Sequence, residues 1–211
     1  MVNVDALNAI RAELPDHVTL VAVSKTKPVS DIREAYVEGV RDFGENRVQE
    51  LIQKQQVLPS NINWHLIGRL QSNKVKLIAP FIHLIQSVDS IKLLEKINKY
   101  ANINNRIIDC LIQIKISSDT SKSGFSIKDA LDFFNSDFKN HFPHITIRGI
   151  MCIGTLTKDF ETTKREFIDM KNLLMKTNLK NPILSMGMSN DYILACQLGS
   201  NMIRIGSLIF K

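Results

Sequence analysis

The feature that most constrains the fold of this chain is a regular alternation of short apolar runs with segments of helical spacing. The alternation occurs about eight times, in units of about 25 residues, which is the pattern of parallel β-strands joined by α-helices. The expected strands are 19–25, 40–46, 63–68, 81–88, 107–114, 145–153, 182–188 and 201–205. The sequence therefore predicts an α/β fold, a (β/α)8 TIM barrel. The alternative is a doubly wound open sheet, but eight regular units without a glycine-rich dinucleotide fingerprint favour closure.

Helices are expected between these strands, where apolar residues recur every three or four positions. The opening helix covers 4–14, and the helix after the first strand runs from about Asp31 to Arg41, with Gly39 near its end. Short polar side chains are expected to cap four helices, at Ser30 with Asp31, at Asp89 or Ser90, at Ser126 and at Ser189.

The totals of the chain fit one globular domain, residues 1–211, with 44% apolar and 23% charged residues. The net charge is +6, but the lysines are spread along the chain, which argues against a nucleic-acid partner. No apolar run approaches the roughly 20 residues of a membrane helix, so no membrane is expected. The three cysteines lie in apolar runs without metal-type spacing, which indicates buried free thiols, a reducing compartment and a cytoplasmic location.

Lys25 stands where the first strand is expected to end, after an unbroken apolar, β-branched run. Such a run is typical of a strand that is buried on both faces. An amine held at its end and partly desolvated can have its pKa lowered toward neutrality and attack a carbonyl to form a Schiff base. The alternative is a lysine that extends from the strand end into water.

The active face of such a barrel lies at the carboxyl ends of its strands, where several polar residues are expected to meet Lys25. These residues are Asn46, His65 or Arg69, Ser185, Ser189, Arg204, Gly206 and Ser207. Alternation along the last strand points Arg204 into the barrel, where an unpaired guanidinium is costly. The serines and glycines offer hydroxyls and backbone N–H groups, and a helix N-terminus at Ser189 favours a phosphate. The set fits a phosphorylated carbonyl compound bound covalently to Lys25.

Each of these residues also has a purely structural interpretation. Ser189 alone can be an ordinary helix cap, the glycine and serine at 206–207 can form a turn, and Arg204 can pair with a carboxylate. His65 follows Trp64 in an apolar strand and is more often a hydrogen-bonded core histidine than a catalyst.

Seven segments, in order along the chain, resemble one protein family. They are 22–28 (AVSKTKP), 43–46 (FGEN) with 48–50 (VQE), 65–74 (HLIGRLQSNK), 122–125 (KSGF), 148–151 (RGIM), 184–191 (LSMGMSND) and 203–210 (IRIGSLIF). The family is that of the pyridoxal phosphate homeostasis proteins, single-domain relatives of the alanine racemase barrel. The resemblance extends from about residue 19 to the C-terminus.

The resemblance implies a fold-type III barrel that holds pyridoxal 5′-phosphate (PLP) as a Schiff base on Lys25. By the same resemblance, Arg204 faces the pyridine nitrogen and keeps it unprotonated, and Asn46 lies beside the ring. The phosphate would be held by Ser185, Ser189, Gly206 and Ser207. Members of the family are thought to bind, store or deliver the cofactor rather than to turn over a substrate. The implied partners are PLP, amino acids and PLP-dependent apoenzymes, and the implied state is a monomer.

Two positions depart from the family pattern. Arg47 follows Asn46 where an aromatic residue is usual, and the chain stops at Lys211, where a glycine and a short tail are usual. Three rival functions fit the residues less well. A PLP-dependent amino-acid racemase needs a second base, which neither Tyr36 nor the other two tyrosines is placed to supply. A class I aldolase usually carries its lysine on a late strand, and a nucleic-acid module would rest on the net charge alone.

Overall fold

A computed structural model of the protein describes residues 1–116, 123–155, 157 and 159–210. Among these residues, eight strands form a closed barrel in chain order, and each neighbouring pair is parallel. The strands are β1 (Thr19–Val23), β2 (Asp42–Glu45), β3 (Asn63–Leu66), β4 (Leu84–Val88), β5 (Ile108–Ile114), β6 (Ile145–Cys152), β7 (Ile183–Ser185) and β8 (Met202–Ile205). The predicted (β/α)8 TIM barrel is confirmed. Residues 121–122 of one predicted loop, and the terminal Lys211, lie outside the described residues.

The helices surround the barrel and connect its strands. They are α1 (Val4–Glu13), α2 (Val29–Val37), α3 (Val48–Gln55), α4 (Val75–Ile78), α5 (Ile91–Ile103), α6 (Ile127–Asn135), α7 (Phe138–His141), α8 (Phe160–Met175) and α9 (Tyr192–Gln197), with a 3₁₀ turn at Ser72–Lys74. No helix of the described residues is both long enough and apolar enough to cross a membrane.

The barrel closes because β1 pairs with both β2 and β8. Ala22 lies beside Phe43 of β2 on one side and beside Ile205 of β8 on the other. Since all strands are parallel, their carboxyl ends meet at one edge of the barrel. Lys25, which follows β1, and Asn46, which follows β2, therefore lie at the same edge.

The apolar residues form two packed layers. Phe43 and Trp64 point outward, with ring centroids 6.0 Å apart, and belong to the core between the strands and helices, together with fully buried Leu51 and Leu94. The second layer fills the barrel interior with one apolar residue from each of five strands, Val21, Leu84, Leu111, Met151 and Met202. This alternation between the two faces of each strand fixes which polar side chains point inward.

Two of the predicted helix caps are confirmed, and the cap at Ser189 is wrong. Ser90 accepts from the Leu93 N–H and Ser126 from the Asp129 N–H. Helix α9, in contrast, begins at Tyr192, and Ser189 lies in the preceding turn. That turn is held by the Asp191 carboxylate, which accepts from the Met188 N–H at 2.6 Å, so the helix starts later than the serine suggests.

The bounds of α2 also differ from the prediction. Pro28 occupies the cap position with φ −68° and ψ 159°, so Ser30 and Asp31 lie inside the first turn and do not cap the helix. Proline does this well because its fixed φ suits the start of a helix. The helix ends at Val37 rather than Arg41 because Gly39, at φ +86°, reverses the chain.

Candidate functional site

A cavity of about 430 Å³ opens at the carboxyl ends of the strands. Its walls come from the ends of β1, β5 and β8 and from the loops that follow β1, β2, β3, β5, β6 and β7. The lining residues are Val23, Lys25, Asn46, Ile67, Gly68, Arg69, Gln113, Ile114, Lys115, Ile116, Ser123, Ile153, Met188 and Arg204. Lys25, Asn46, Arg69 and Arg204 of the predicted set thus meet at one cavity.

Lys25 lies at the rim of this cavity, two residues beyond β1, and its side chain is exposed. The desolvated amine that the sequence suggested is therefore not observed. Among the described residues, no hydrogen bond or ion pair engages its Nζ atom. The amine is left available to a molecule that enters the cavity.

The residue after Lys25 has an unusual backbone. Thr26 has φ +63°, a region that β-branched residues rarely adopt and that costs on the order of 1–3 kcal/mol. Its backbone N–H donates to Glu50 Oε1 at 2.5 Å. This contact, made to the helix after the neighbouring strand, holds the turn that presents Lys25.

A buried ionic cluster lies beneath the same turn. Lys54 donates to the Ser24 carbonyl at 2.8 Å and forms ion pairs with Glu45 at 2.7 Å and Glu50 at 2.9 Å. Burial raises the pKa of Glu45, although hydrogen bonds from Lys54 and Ser24 oppose the shift. The cluster ties both flanks of Lys25 to α3.

Arg204 is 4% exposed and reaches the cavity from β8. Its Nη1 donates to Ser185 Oγ at 2.6 Å and its Nη2 to the Cys152 carbonyl at 2.8 Å. Both acceptors are neutral, and burial lowers the pKa of the guanidinium. The prediction that Arg204 points into the barrel is confirmed, and no carboxylate of the described residues accepts a hydrogen bond from this buried cation.

Ser185 lies beneath the cavity rather than in its lining. Its Oγ accepts from Arg204 and donates to Gln86 Oε1 at 2.7 Å, so both functions of the hydroxyl are used within the protein. Ser185 thus supports Arg204, and its predicted contact with a phosphate stays a prediction.

The hydrogen bonds continue from Gln86 across the barrel. Gln86 Nε2 lies 2.9 Å from His65 Nδ1, and His65 Nε2 lies 3.0 Å from Asp42 Oδ1. Because the Asp42 carboxylate can only accept, a neutral His65 carries its proton on Nε2, facing the carboxylate, and its Nδ1 accepts from Gln86 Nε2. His65 is thus a hydrogen-bonded interior histidine, as expected, and does not reach the cavity lining.

Gln86 is a residue that the sequence analysis missed. It is fully buried in the all-buried strand β4, and its side chain bridges β3 and β7. Two residues before it, Leu84 points into the barrel, so strand alternation was a signal that could have found Gln86.

The remaining predicted residues lie beside the cavity without lining it. Ser189 is half-buried and follows Met188, which does line it. Gly206 packs against Val23, and a Cβ atom at 206 would lie 3.2 Å from the Val23 carbonyl oxygen. Ser207 is exposed directly after it. Ser189 follows β7, and Gly206 and Ser207 follow β8, so all three lie at the same edge of the barrel as the cavity.

Asn46 is placed by a close backbone contact with Gly68. A Cβ atom at Gly68 would lie 2.3 Å from the Asn46 carbonyl oxygen, so only glycine permits the two loops to approach. Both residues line the cavity. Sequence reasoning did not select Gly68, because nothing local to residue 68 indicates the neighbouring loop.

Comparisons with known proteins give a consistent result. The family model of the alanine racemase N-terminal domain matches residues 3–211. The pyridoxal phosphate homeostasis protein of Pasteurella multocida (strain Pm70) is 40% identical over 201 residues, covering 92% of this chain and 85% of that protein. The structure of PipY from Synechococcus elongatus PCC7942 with PLP bound is 36% identical, with a TM-score of 0.91 over 99% of both chains. An alanine racemase of Clostridium difficile 630, 18% identical, shares the barrel, with a TM-score of 0.79 over 98% of this chain and 56% of the racemase.

Proposed function

Because the chain belongs to the family of pyridoxal phosphate homeostasis proteins, we propose that it binds PLP at the cavity of Lys25 and Arg204 and acts in PLP homeostasis. The observation that carries the proposal is the pairing of an available amine at the rim with a buried cation whose hydrogen-bond acceptors, among the described residues, are neutral. When bound, PLP supplies an aldehyde that condenses with amines and an aromatic ring that withdraws electrons.

The residues fit this cofactor. The cavity volume of about 430 Å³ is within the usual range of small-molecule sites. Lys25 would hold the cofactor covalently through Nζ, and Arg204 would direct its N–H groups at the ring nitrogen. Asn46, held in place by Gly68, would lie beside the ring.

The phosphate would lie against the rim segments that follow β7 and β8. Ser189, Gly206 and Ser207 would supply hydroxyl and backbone N–H donors, as the resemblance implies. Ser185 is assigned a different role here, because its hydroxyl already serves Arg204 and Gln86. It would orient the guanidinium from below.

The cavity favours a carrier over a racemase. The second base of a racemase would have to stand in the lining, and no tyrosine is found there among the described residues. Tyr36 donates to Asn61 at 2.8 Å, and Tyr192 donates to Glu13 at 2.8 Å. Arg204 stays protonated and cannot pass a proton to the ring nitrogen, which suits storage better than turnover.

The finer parts of the proposal concern partners and location. The protein is proposed to act as a cytoplasmic monomer of one domain, residues 1–211, that exchanges PLP with amino acids and with PLP-dependent apoenzymes. Cys110, Cys152 and Cys196 are not joined in disulfides, which supports a reducing compartment.

A transfer experiment tests the function. Protein loaded with PLP and freed of excess cofactor is mixed with the apo form of a PLP-dependent aminotransferase, and the recovery of aminotransferase activity is followed. Wild type is expected to restore the activity, and Lys25→Met, treated identically, is expected to carry no PLP. Lys92→Met, an exposed lysine on α5, is the matched control and should behave like wild type. Equal transfer from Lys25→Met would contradict the proposal.

A further inference from the structure

A second cluster of ligand-type side chains lies at the opposite, amino end of the barrel. Asp42 is the first residue of β2, His65 lies in β3, and His83 directly precedes β4. Their ligand atoms all lie within 4.8 Å of one another. Since Lys25 and its cavity are at the carboxyl ends of the strands, this cluster is separate from the proposed PLP site.

The geometry of the cluster is close to that of a metal centre. His65 Nε2 lies 3.0 Å from Asp42 Oδ1, and the rings of His65 and His83 are 5.5 Å apart between centroids. Tetrahedral zinc, with bonds of about 2.0–2.1 Å to nitrogen, needs ligand atoms about 3.3 Å apart. The pair of His65 and Asp42 is thus already near this spacing, and the exposed His83 would complete the set from within 4.8 Å.

We propose that Asp42, His65 and His83 bind one Zn²⁺ ion, with water as the fourth ligand. Two imidazoles and one carboxylate are a ligand set that zinc accepts, whereas magnesium and calcium prefer sites made of oxygen atoms alone. The side chain of His65 is 1% exposed and that of Asp42 is 24% exposed. The ion would therefore be anchored at the wall of the barrel and reached from solvent on the side of His83.

Charged groups of both signs lie around this position, with Asp42 and Asp109 opposed by Arg106. Asp109, at the amino end of β5, acts on His83 electrostatically and is itself paired with Arg148, whose Nε lies 3.5 Å from its Oδ2. Arg106 also acts on His83, but its guanidinium is held by the carbonyls of Ala79 at 2.6 Å and Ile82 at 2.8 Å. It is thus fixed against the end of α4.

Metal binding requires a proton to change position on His65. The proton now on Nε2 moves to Nδ1, and the vacated Nε2 lone pair binds the ion, so the net charge of the ring is unchanged. The Gln86 amide then turns over and accepts from Nδ1–H, which gives the ligand the outer hydrogen bond that metal-bound histidines usually have. Gln86 Nε2 donates to Ser185 Oγ, and the Ser185 hydroxyl proton turns away from Gln86.

Titration with zinc against a chromophoric chelator tests the proposal. Wild type is expected to bind one equivalent of zinc. His83→Ala is expected to bind zinc more weakly, by at least about tenfold. His141→Ala, which removes another exposed histidine, is the matched control and should bind as wild type does. Since His83 is exposed, its replacement leaves the interior intact. Equal zinc affinity in wild type and His83→Ala, or no stoichiometric binding by wild type, would overturn the proposal.

Two further readouts identify the ligands. Co²⁺ in the same site should give the intense visible bands of a tetrahedral centre without a thiolate-to-cobalt band. A thiolate band would place the metal at a cysteine and overturn the assignment. Zinc should also raise the melting temperature of wild type and of His141→Ala but not that of His83→Ala, because a ligand stabilises only the state that binds it. None of these measurements requires PLP, so their outcome does not depend on whether the proposed function is correct.

Discussion

At the scale of single residues, Arg204 gives the cavity a buried positive charge. A buried charge is expensive unless it is paired, yet this guanidinium donates to a serine hydroxyl and a backbone carbonyl. The chain of bonds from Ser185 through Gln86 and His65 connects it to the carboxylate of Asp42. The carboxylate that acts on Arg204 electrostatically is Asp191, which accepts no hydrogen bond from it among the described residues, so an electron-rich ring nitrogen would be a favourable local partner.

Replacement of Arg204 tests its proposed effect on the chemistry of bound PLP. Because arginine cannot protonate the ring nitrogen, α-proton exchange of alanine in D₂O is expected to proceed near the rate of free PLP. Arg204→Glu should raise that rate, and Arg165→Glu, on the exposed side of α8, should not. Arg204→Gln is a neutral variant for comparison. Fast, stereospecific exchange by wild type would show that the protein is an enzyme.

Loss of one hydroxyl at the rim should have a mild effect. Ser207 is exposed in the turn after β8, and the Gly206 carbonyl holds that turn by accepting from the N–H groups of Ile209 and Phe210. One hydrogen bond is worth roughly 0.5–1.5 kcal/mol, or up to about 3 kcal/mol to a charged group. Ser207→Ala should therefore weaken PLP binding by about tenfold to a hundredfold at most. The measurement is a PLP titration of the apoprotein with Ser30→Ala as control, and complete loss of binding would contradict the assignment.

At the scale of elements, the turn between β1 and α2 depends on α3. Lys54 is 5% exposed and Glu45 is fully buried, and together with Glu50 they hold Ser24 and Thr26 on either side of Lys25. The strained backbone of Thr26 persists because these contacts over-determine it. Replacement of one of these charged side chains is expected to loosen the turn as well as to destabilise the fold.

Lys54→Met tests the cluster. It leaves the Glu45 carboxylate buried without its cation, which should lower the free energy of unfolding by about 3–5 kcal/mol at neutral pH. Burial raises the pKa of the Glu45 carboxyl above its ordinary value of 4.5. Ionisation of Glu45 therefore lowers the free energy of unfolding as the pH rises above 4.5. The variant should therefore lose less stability relative to wild type at a pH below about 4.5 than at pH 7. Denaturant unfolding at both values measures this, with Lys92→Met as control, and an equal loss at both would contradict the account.

The elements also show how far the sequence could be interpreted. Strand and helix positions follow from local periodicity, so the barrel was predictable, and alternation along β8 was enough to turn Arg204 inward. The start of α9 was not, because the Asp191 carboxylate competes with Ser189 for the turn. The role of Ser185 was not predictable either, since it depends on Gln86, which is 99 residues away in the chain. Contacts between distant segments have no local signature.

At the scale of the whole molecule, the barrel has polar features at both ends and a packed interior between them. That interior is filled by five apolar side chains and by the hydrogen-bonded side chains that lead from Arg204 to Asp42. The carboxyl end carries the cavity with Lys25, and the amino end carries the cluster of His65 and His83. The barrel thus separates the proposed PLP site from the proposed zinc site.

The integrity of the barrel can be followed through its thiols. Burial raises the pKa of Cys110 in β5 and of Cys196 in α9, but Cys196 is only half-buried. Since the thiolate is the reactive form, alkylation of the native protein should begin at Cys196. Cys110 and Cys152 should react only when the protein unfolds. Mass spectrometry after timed alkylation measures this, and modification of Cys110 at its denatured rate would show that the barrel wall opens readily.

The central claim is that Lys25 is the residue that holds PLP, and reduction followed by peptide mapping tests it most directly. Protein incubated with PLP is treated with borohydride, which makes the link to an amine permanent, and is then digested and sequenced by mass spectrometry. The account predicts one stoichiometric pyridoxyl group on Lys25, because its amine stands at the rim of the cavity and is not engaged by the described residues. A stoichiometric adduct on Lys27 or Lys74 in place of Lys25, or no adduct above the level of free lysine, would contradict it.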